Sequence, residues 1–300
     1  MYYSGVLILE NYSVKMVNQW QPSIDCDIYH QFSIELGTEC VLKEYKKKGK
    51  KIVISPIMWN LFPKNSFRWN LTKEVFNLAD LIMTNSLAES QRLSEDFGIP
   101  EKKFYKTRNS ISADYLNSST SEDFKKKFNI DGDFILTVAN IDERKNTKTL
   151  IDACIGLNLN LVIIGAIRDQ NYFNTFKDKS KFFRFLGPVF DKDTLKSAYQ
   201  QCKLFILPSL CETPGLSALE AASQGADIII TGEGATREYF QDKVSYFDPK
   251  EPSSLAPLIS KTLNLQVERS NNDLSDFIRN NFSWRDTAND ISRGYEELFK

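Results

Sequence analysis

The sequence predicts an α/β protein of two doubly wound domains, and three observations lead to this fold class. Short apolar runs rich in Val, Ile and Phe alternate with segments of helical period, which is typical of βαβ units and a parallel sheet. A length of 300 residues with 42% hydrophobic residues can bury two ordinary cores. The polar, aperiodic stretch at residues 110–124 interrupts the alternation like a linker. We therefore expect domains at residues 1–114 and 115–281.

In the first predicted domain, five apolar runs have the composition and length of strands. They are GVLILE (5–10), DIYHQF (27–32), KIVISPI (51–57), DLIMTNS (80–86) and KFYKTRN (103–109). A helix over residues 88–97 is expected to stop at Gly98 and Pro100.

The second predicted domain repeats the same alternation and forms a complete doubly wound unit. Its predicted strands are FILTVAN (134–140), LNLVIIGA (159–166), FFRFLG (182–187), KLFILPS (203–209) and ADIIITG (226–232), and its predicted helices cover 147–156 and 192–202. The tail at residues 282–299 predicts an amphipathic helix, because apolar residues recur there at spacings of three and four.

Composition excludes several classes of function. Thirty-eight basic and thirty-nine acidic residues leave a net charge of -1, so nucleic acid is not an expected partner. Five scattered cysteines without CxxC spacing indicate neither a disulfide framework nor a zinc site, which fits a reducing cytoplasm. We expect no signal peptide and no membrane span, so that any contact with the inner face of the cytoplasmic membrane would be peripheral.

Two segments place chemically useful side chains at the carboxyl ends of predicted parallel strands, where ligands collect in such sheets. The first is the segment after FILTVAN, where Arg144 and Lys145 precede a helix. Cations beside a helix N-terminus suit an anion, through charge-assisted hydrogen bonds worth about 1.5–3 kcal/mol each. The alternative interpretation is a solvated basic turn.

The second segment is CETPGLSALEAASQG, at residues 211–225. Thr213 and Pro214 predict a helix start with proline in the first turn, so that Glu212 lies in the loop and Glu220 on the helix. Carboxylates accept two hydrogen bonds and match adjacent hydroxyls of a ribose or hexose, while Gly215 permits close approach of a phosphate. The two segments together predict a sugar-nucleotide site; the alternative for the glutamates is surface charge.

These residues resemble a known family. The resemblance is to the C-terminal domain of retaining glycosyltransferases of the GT-B fold, the family 4 type or glycosyltransferase group 1. It covers about residues 80–295. Its strongest element is the Glu-x7-Glu motif formed by Glu212 and Glu220. The other matching segments are FILTVANIDERKNTKTLIDAC, LVIIG, the stretch from FFRFLGPVF to GATREYF, and the tail motif FSW. It implies two Rossmann-like domains facing a central cleft, a shortened first domain, and a tail helix (282–300) that packs back on that domain.

The resemblance also implies roles for individual residues. Glu212 is expected to contact the donor sugar beside the reacting carbon and Lys145 the donor phosphates, which makes these two the catalytic candidates. Asn140 occupies the place of a family arginine, for which Arg144 is expected to substitute. The other expected donor-binding residues are Glu220 at the ribose, Gly215, Leu216 and Ser217 at the phosphates, and Gly187 and Val189 at the base.

The resemblance implies a transferase that moves a sugar from a UDP- or GDP-sugar to a glycan or lipid-linked glycan acceptor, with retention, in bacterial surface polysaccharide synthesis. No cofactor or metal is expected, although Asp25-Cys26-Asp27 and Asp131-Gly132-Asp133 match an Asp-x-Asp pattern. The alternatives are a catalytically degenerate partner subunit and a sugar-nucleotide epimerase or hydrolase on the same fold.

Three features of the first domain complete the predictions. Ser55 occupies the place of a family histidine, and the single histidine, His30, is expected to be structural. Six lysines between Lys43 and Lys51 indicate a solvated loop, with docking on anionic lipid as the alternative. Four aromatic side chains are expected to line an acceptor cleft, to enter the membrane interface or to pack in the core: Trp59, Phe62, Phe67 and Trp69.

Overall fold

The computed structural model describes residues 12–18, 25–59, 62–264 and 272–300. The predicted strand GVLILE lies outside the described residues. The chain divides into two compact units, one formed by Met1–Asn109 with Trp284–Lys300 and the other by Ser110–Ser283. Each unit contains one parallel sheet with helices, so the predicted α/β class is confirmed.

In the part of the first unit that the structure describes, four strands form a parallel sheet in the order β1-β2-β3-β4. The strands are β1 (Ile28–Phe32), β2 (Lys51–Ser55), β3 (Leu81–Thr84) and β4 (Phe104–Lys106), and the helices are α1 (Thr38–Lys47), α2 (Phe67–Leu78), α3 (Leu87–Phe97) and the C-terminal helix (Trp284–Glu297). A 3-10 turn at Glu101–Lys103 precedes β4.

Both faces of this sheet are covered, which explains why its central strands are apolar almost throughout. On one face, Ile52 and Ile54 belong to a core that includes side chains of α1, α2 and α3. On the other face, Val53 and Met83 share a core with Ile291 and other residues of the C-terminal helix. The chain's last helix is therefore an integral layer of the first unit.

The interpretation of the lysine run as a loop is wrong except at residues 48–50, which form the turn between α1 and β2. Residues Lys43 to Lys47 belong to α1, whose Leu42 and Tyr45 side chains are fully buried. Four of the six lysines are ion-paired, since Lys43, Lys46, Lys47 and Lys50 contact Glu74, Asp80, Glu44 and Asp25 respectively. Partnered charges have less to gain from anionic lipid, which weakens the lipid-docking alternative.

The aromatic residues that follow this run are split between core and surface. Trp69 is buried on α2 and packs against Phe97, with ring centroids 5.3 Å apart. Phe62 and Phe67 are exposed, and Trp59 is half-buried. Of the four aromatic residues, only Trp69 is therefore buried in the core.

The second unit is built on a six-stranded parallel sheet in the order β10-β9-β8-β5-β6-β7. In chain order its elements are α4 (Phe124–Phe128), β5 (Ile135–Val138), α5 (Thr147–Gly156), β6 (Leu161–Ile164), α6 (Gln170–Asn174), β7 (Phe183–Phe185), α7 (Lys192–Gln201), β8 (Leu204–Leu207), α8 (Leu216–Ser223), β9 (Ile228–Thr231), α9 (Thr236–Phe240), β10 (Ser245–Phe247), α10 (Leu255–Asn264) and α11 (Asn272–Asn281). Short 3-10 turns occur at Ala113–Tyr115, Glu143–Lys145, Lys177–Phe182 and Pro252–Ser254.

The stretch interpreted as a linker, residues 110–124, is part of this second unit. Ile111 forms a parallel bridge with Ser283, and the side chains of Ile111, Tyr115 and Phe124 are buried in its core. Its polar residues lie between these anchors, which is why composition alone made it look like a linker.

No helix within residues 12–18, 25–59, 62–264 and 272–300 combines the length and apolarity needed to cross a bilayer.

We expect Ile291→Ala in the C-terminal helix to lower the free energy of unfolding by about 2–4 kcal/mol, because a buried isoleucine is truncated between this helix and the sheet. Urea unfolding followed by circular dichroism measures the loss. Glu296→Ala, at an exposed position of the same helix, is the matched control and should change stability little. Equal stabilities of the two variants would contradict the packing described here.

Candidate functional site

The candidate site lies where β5 and β8 end. These two strands are direct neighbours in the parallel sheet, so the loops that follow them leave the same edge. The loop after β5 contains the 3-10 turn Glu143–Lys145 and leads into α5, and the loop after β8 leads into α8. The predicted cations and glutamates thus come from adjacent strand ends.

The two loops are joined by hydrogen bonds that use backbone groups. The Leu210 amide donates to the Arg144 carbonyl at 2.8 Å, and the Asn146 side-chain amide donates to the Pro208 carbonyl at 3.1 Å. The Arg144 guanidinium donates to the Cys211 carbonyl at 3.3 Å. These bonds fix the relative position of the loops before any ligand is present.

Lys145 and Glu212 are in direct contact. The Lys145 ammonium donates to Oε1 of Glu212 at 2.6 Å, and the Ser209 hydroxyl donates to the same oxygen at 2.6 Å. The Arg144 guanidinium lies 3.7 Å from that oxygen. Glu212 is only 5% exposed, so its ionised form needs these partners to offset the loss of water.

The main chain of Glu212 is fixed by the loop after β9. Its amide donates to the Glu233 carbonyl at 3.2 Å, and its carbonyl accepts from the Ala235 amide at 2.8 Å. Gly234 lies between these bonds with a φ of 95°, and a Cβ there would stand 2.2 Å from the Glu212 carbonyl oxygen. Only glycine allows the backbones to approach this closely.

Helix α8 begins next to Glu212. Gly215 is its N-cap with a φ of 93°, and Leu216 and Ser217 are its first residues, with amides at the positive end of the helix. A Cβ on Gly215 would lie 3.1 Å from Ile230 and 3.2 Å from Leu207. The expectation of proline in the first helical turn is wrong, because Pro214 precedes the N-cap and the left-handed glycine starts the helix.

Glu220 faces a different neighbour from that of Glu212. Its Oε2 accepts a hydrogen bond from the Tyr199 hydroxyl of α7 at 3.0 Å. Burial raises the pKa of Glu220 from 4.5 to about 7, against the opposing effects of the Tyr199 hydrogen bond and the charge of Lys192. The structure therefore brings Lys145 and Glu212 together, whereas Glu220 is held by α7.

The remaining predicted donor-binding residues lie at the ends of β5 and β7. Asn140 is exposed two residues after β5. Gly187 follows β7 with a φ of 69°, and its carbonyl accepts from the Gly165 amide at 2.9 Å after β6. Val189 is half-buried and packs against the core. All three belong to loops at the carboxyl edge of the sheet that carries Glu212.

Two partners in this site were missed by the sequence analysis. Ser209 could have been found from its place directly after the strand KLFILP, three residues before Glu212. Tyr199 gave no usable signal, because it lies on α7 and its contact with Glu220 depends on how α7 and α8 pack.

His30 lies in the first unit and is bonded through both ring nitrogens. Its Nδ1 is 2.6 Å from the Tyr295 hydroxyl and its Nε2 is 2.8 Å from the Ser55 hydroxyl. Burial lowers the pKa of His30 to about 3, so the ring is neutral at physiological pH.

A family profile described as glycosyl transferases group 1 matches residues 118–282, which is more than half of the chain. The chain belongs to this family. The matched stretch contains Lys145, Glu212, Glu220 and the helix N-terminus that begins at Gly215.

Proteins similar in sequence carry related names but are much longer. The serotype-specific mannosyltransferase WbdA of Escherichia coli is 25% identical over 244 residues, which are 75% of this chain and 30% of that protein. The uncharacterized glycosyltransferase MJ1607 of Methanocaldococcus jannaschii is 26% identical over 236 residues, or 72% of this chain and 59% of that protein. The chain thus spans about 30% of the length of WbdA.

Solved structures show the same architecture. A glycosyltransferase from Rickettsia africae ESF-5 superposes with a TM-score of 0.77 at 19% identity, over 91% of this chain and 77% of that chain. Anabaena Alr3699/HepE, solved in complex with UDP, gives a TM-score of 0.75 at 15% identity, over 90% of this chain and 79% of that chain. These GT-B glycosyltransferase neighbours confirm the predicted GT-B fold class.

The raised pKa of Glu220 gives a pH dependence of stability with a defined sign. An acid with a higher pKa in the folded state is more protonated there than in the unfolded chain between pH 4.5 and about 7. The Glu220 carboxyl group therefore contributes to the free energy of unfolding at acid pH. This contribution is lost as the pH rises, by up to about 3 kcal/mol.

We expect Glu220→Gln to abolish this pH-dependent loss of stability, because glutamine does not titrate. The glutamine side chain keeps an oxygen that can accept a hydrogen bond from Tyr199. The difference in unfolding free energy between Glu220→Gln and the original chain should grow in favour of the variant between about pH 4.5 and pH 7, as measured by urea unfolding. A difference that stays constant with pH would show that Glu220 titrates normally.

Proposed function

We propose that the chain is a retaining glycosyltransferase that moves a sugar from a UDP- or GDP-sugar to a glycan or lipid-linked glycan acceptor. The observation that carries this proposal is the contact of Lys145 with Glu212 at the edge where α8 begins. A fixed cation, a carboxylate and helix amides within one pair of adjacent loops are the groups that a diphosphate-linked sugar requires.

The cations would stabilise the leaving group. During transfer the bond between the anomeric carbon and the phosphate oxygen breaks, and its electron pair stays on the nucleoside diphosphate. Lys145, Arg144 and the amides of Leu216 and Ser217 would stabilise that charge. The acceptor oxygen forms the new bond to the anomeric carbon, and the hydroxyl proton passes to the departing diphosphate. We propose that these groups act without a metal ion or cofactor.

Glu212 would hold the donor sugar. Among the described contacts of its carboxylate, those with Lys145, Ser209 and Arg144 all involve Oε1. Oε2 can therefore accept from a sugar hydroxyl while Ser209 keeps the carboxylate in place. When the donor phosphates approach, the Lys145 ammonium can donate to a phosphate oxygen while it keeps its contact with Glu212, because an ammonium group has three donor hydrogens.

Glu220 would bind the ribose hydroxyls, as the family resemblance implies. Burial raises the pKa of Glu220 to about 7, so that the carboxyl group can be neutral or ionised at little cost, and two hydroxyl donors would favour the ionised form. The carboxylate would then gain the hydrogen bonds that a buried charge needs.

The biological role of the transferase is proposed from the names of similar proteins. WbdA is named a serotype-specific mannosyltransferase, and another relative in Escherichia coli, WclY, is named an O-antigen biosynthesis glycosyltransferase. HepE is a structural neighbour solved with UDP. We therefore propose a role in surface polysaccharide synthesis at the cytoplasmic side of the membrane.

We expect Lys145→Ala and Glu212→Ala each to lower donor turnover by about a hundred- to a thousandfold, because each removes a group that acts on the reacting sugar or its leaving group. Turnover is measured with a panel of UDP-, GDP- and dTDP-sugars, with and without a lipid-linked glycan acceptor. Lys148→Ala is the matched control, since Lys148 lies in the next helical turn and pairs with Asp152.

The same panel separates the proposal from its alternatives. Transfer to the acceptor supports the proposal, whereas isomerisation or donor hydrolysis regardless of acceptor would indicate an epimerase or hydrolase. Nucleotide binding by thermal shift without any turnover would indicate a degenerate partner subunit. Near-normal turnover of Lys145→Ala or Glu212→Ala would refute the assignment of the site.

A further inference from the structure

Side-chain hydrogen bonds link helix α7 to helix α8 in the second unit. The Tyr199 hydroxyl donates to Oε2 of Glu220 at 3.0 Å, and the Gln200 side-chain amide donates to the side-chain oxygen of Gln224 at 3.0 Å, directly after α8. Gln224 in turn donates to the Tyr115 carbonyl at 3.0 Å. The position of α7 relative to α8 is thus also held by a bond that involves neither Tyr199 nor Glu220.

The Tyr199 ring is fixed by its surroundings. It is fully buried and packs edge-on against Phe205 and Tyr115, with ring centroids 5.7 Å and 6.2 Å apart. Burial holds the pKa of the Tyr199 phenol well above its usual range, so the hydroxyl keeps its hydrogen at physiological pH. Tyr199 is therefore a hydrogen-bond donor with a fixed direction, and its acceptor is Glu220.

Glu220 keeps one carboxylate oxygen for a ligand. The residue is partly exposed, and Tyr199 is the one hydrogen-bond partner of its side chain among the residues that the structure describes. A carboxylate has about four acceptor sites on its two oxygens, so Oε1 and a second site on Oε2 can accept from hydroxyls. A neutral carboxyl group carries a hydrogen on one oxygen and is a poorer partner for two hydroxyl donors.

Two groups oppose the effect of burial on Glu220. Burial raises its pKa to about 7, whereas the Tyr199 hydrogen bond and, to a smaller extent, the charge of Lys192 lower it. Lys192 is ion-paired with Asp114 and donates to the Ser112 hydroxyl at 3.3 Å, so its charge is already compensated. The Tyr199 hydroxyl is thus the direct contact that favours the ionised form of Glu220.

The other described elements packed against α8 carry their charges away from this contact. On α11, the Arg279 guanidinium donates to the carbonyl of the last residue of α8, and Asp273 and Asp276 are exposed. Strands β8 and β9 consist of LFIL and IIIT, which contain no titratable residue. Burial raises the pKa of the Tyr115 phenol, which is therefore neutral at physiological pH. The contact from α7 is the one that acts directly on the Glu220 oxygens.

We propose that Tyr199 is a positioning residue of the nucleotide-sugar site, because its hydroxyl aims the Glu220 carboxylate and favours the charge state that accepts the two ribose hydroxyls of the donor. The inference rests on the proposed function, in which Glu220 binds the ribose. It adds a fully buried residue that acts on the nucleotide only through Glu220. Removal of the Tyr199 hydroxyl should therefore have an effect that depends on pH, which a simple packing defect would not have.

The test measures binding of UDP and GDP to the full chain by isothermal titration calorimetry between about pH 6 and pH 8.5. We expect Tyr199→Phe to bind the nucleotide roughly tenfold more weakly than the original chain at about pH 6, and within about twofold of it at about pH 8.5. The reason is that Glu220 ionises at a higher pH when it loses a hydrogen bond to its charged form. The phosphate of the nucleotide also titrates in this range, so the two proteins are compared at the same pH.

Gln200→Ala is the matched control. It breaks the neighbouring bond from α7 but leaves the contact between Tyr199 and Glu220. It should lower the free energy of unfolding without a change in the pH dependence of nucleotide binding. Tyr199→Phe keeps the ring that packs in the core and should stay folded, which circular dichroism verifies for both variants.

Two further comparisons identify the route by which Tyr199 acts. The difference between Tyr199→Phe and the original chain at about pH 6 should shrink for 2′-deoxy-UDP and 2′-deoxy-GDP, which lack one of the ribose hydroxyls. In a Glu220→Gln background, Tyr199→Phe should have no pH-dependent effect. Equal affinities of Tyr199→Phe and the original chain, or a weakening that is the same at every pH, would overturn the proposal.

Failure of this inference and failure of the proposed function give different results. Nucleotide binding with the expected dependence on Tyr199 and pH, in a chain that transfers no sugar, would uphold the role of Tyr199 and reject the transferase. Sugar transfer by a chain whose nucleotide affinity is unchanged in Tyr199→Phe would reject this role alone. Absence of UDP and GDP binding at about 5 mM would overturn both.

Discussion

The second unit depends on the compensation of one buried carboxylate at the edge of its sheet. Glu212 is almost inaccessible to water and would be strongly destabilising if it were ionised alone. Lys145 and Ser209 satisfy one of its oxygens, and its backbone is bonded to the loop after β9. The adjacency of β5 and β8 makes this possible, because it places the lysine and the glutamate on loops that leave the same edge. Electrostatics and topology thus impose the same arrangement of Lys145 and Glu212.

The two glutamates of the motif have opposite environments, and this contrast supports different tasks. Glu212 is in contact with the Lys145 ammonium, whereas Glu220 lies beside Tyr199 and burial raises its pKa to about 7. The Glu212 carboxylate is thus compensated by a neighbouring cation. A carboxyl group that is neutral or charged at little cost can adapt to a ligand that arrives with hydroxyl donors. The two glutamates therefore differ in environment because of the side chains that surround each of them in the folded protein, and not because of the residues beside them in the sequence.

Much of this could be predicted from the sequence, and the failures have physical causes. Helix α5 begins and ends at the predicted residues, and the loops that carry Lys145 and Glu212 follow strands that apolar runs identify well. The lysine run was misinterpreted because charge dominates its composition, although Leu42 and Tyr45 have the spacing of a buried helical face. The start of α8 was misplaced because a left-handed glycine outweighed the preference for proline. The hydrogen bond between Tyr199 and Glu220 depends on tertiary packing, which the local sequence pattern does not indicate.

The first unit shows the same limit over a longer range. His30 and Tyr295 are separated by 265 positions, yet they are hydrogen-bonded, and the other ring nitrogen of His30 contacts the Ser55 hydroxyl. The amphipathic spacing of the tail predicts a helix and a buried face for Tyr295, but not that its hydroxyl reaches a histidine on β1. That contact exists because the C-terminal helix forms a layer on the first sheet, beside β3. Burial of an apolar helix face thus also places a polar atom, because the packing of the last helix brings the Tyr295 hydroxyl to His30, which in turn contacts Ser55 at the carboxyl end of β2.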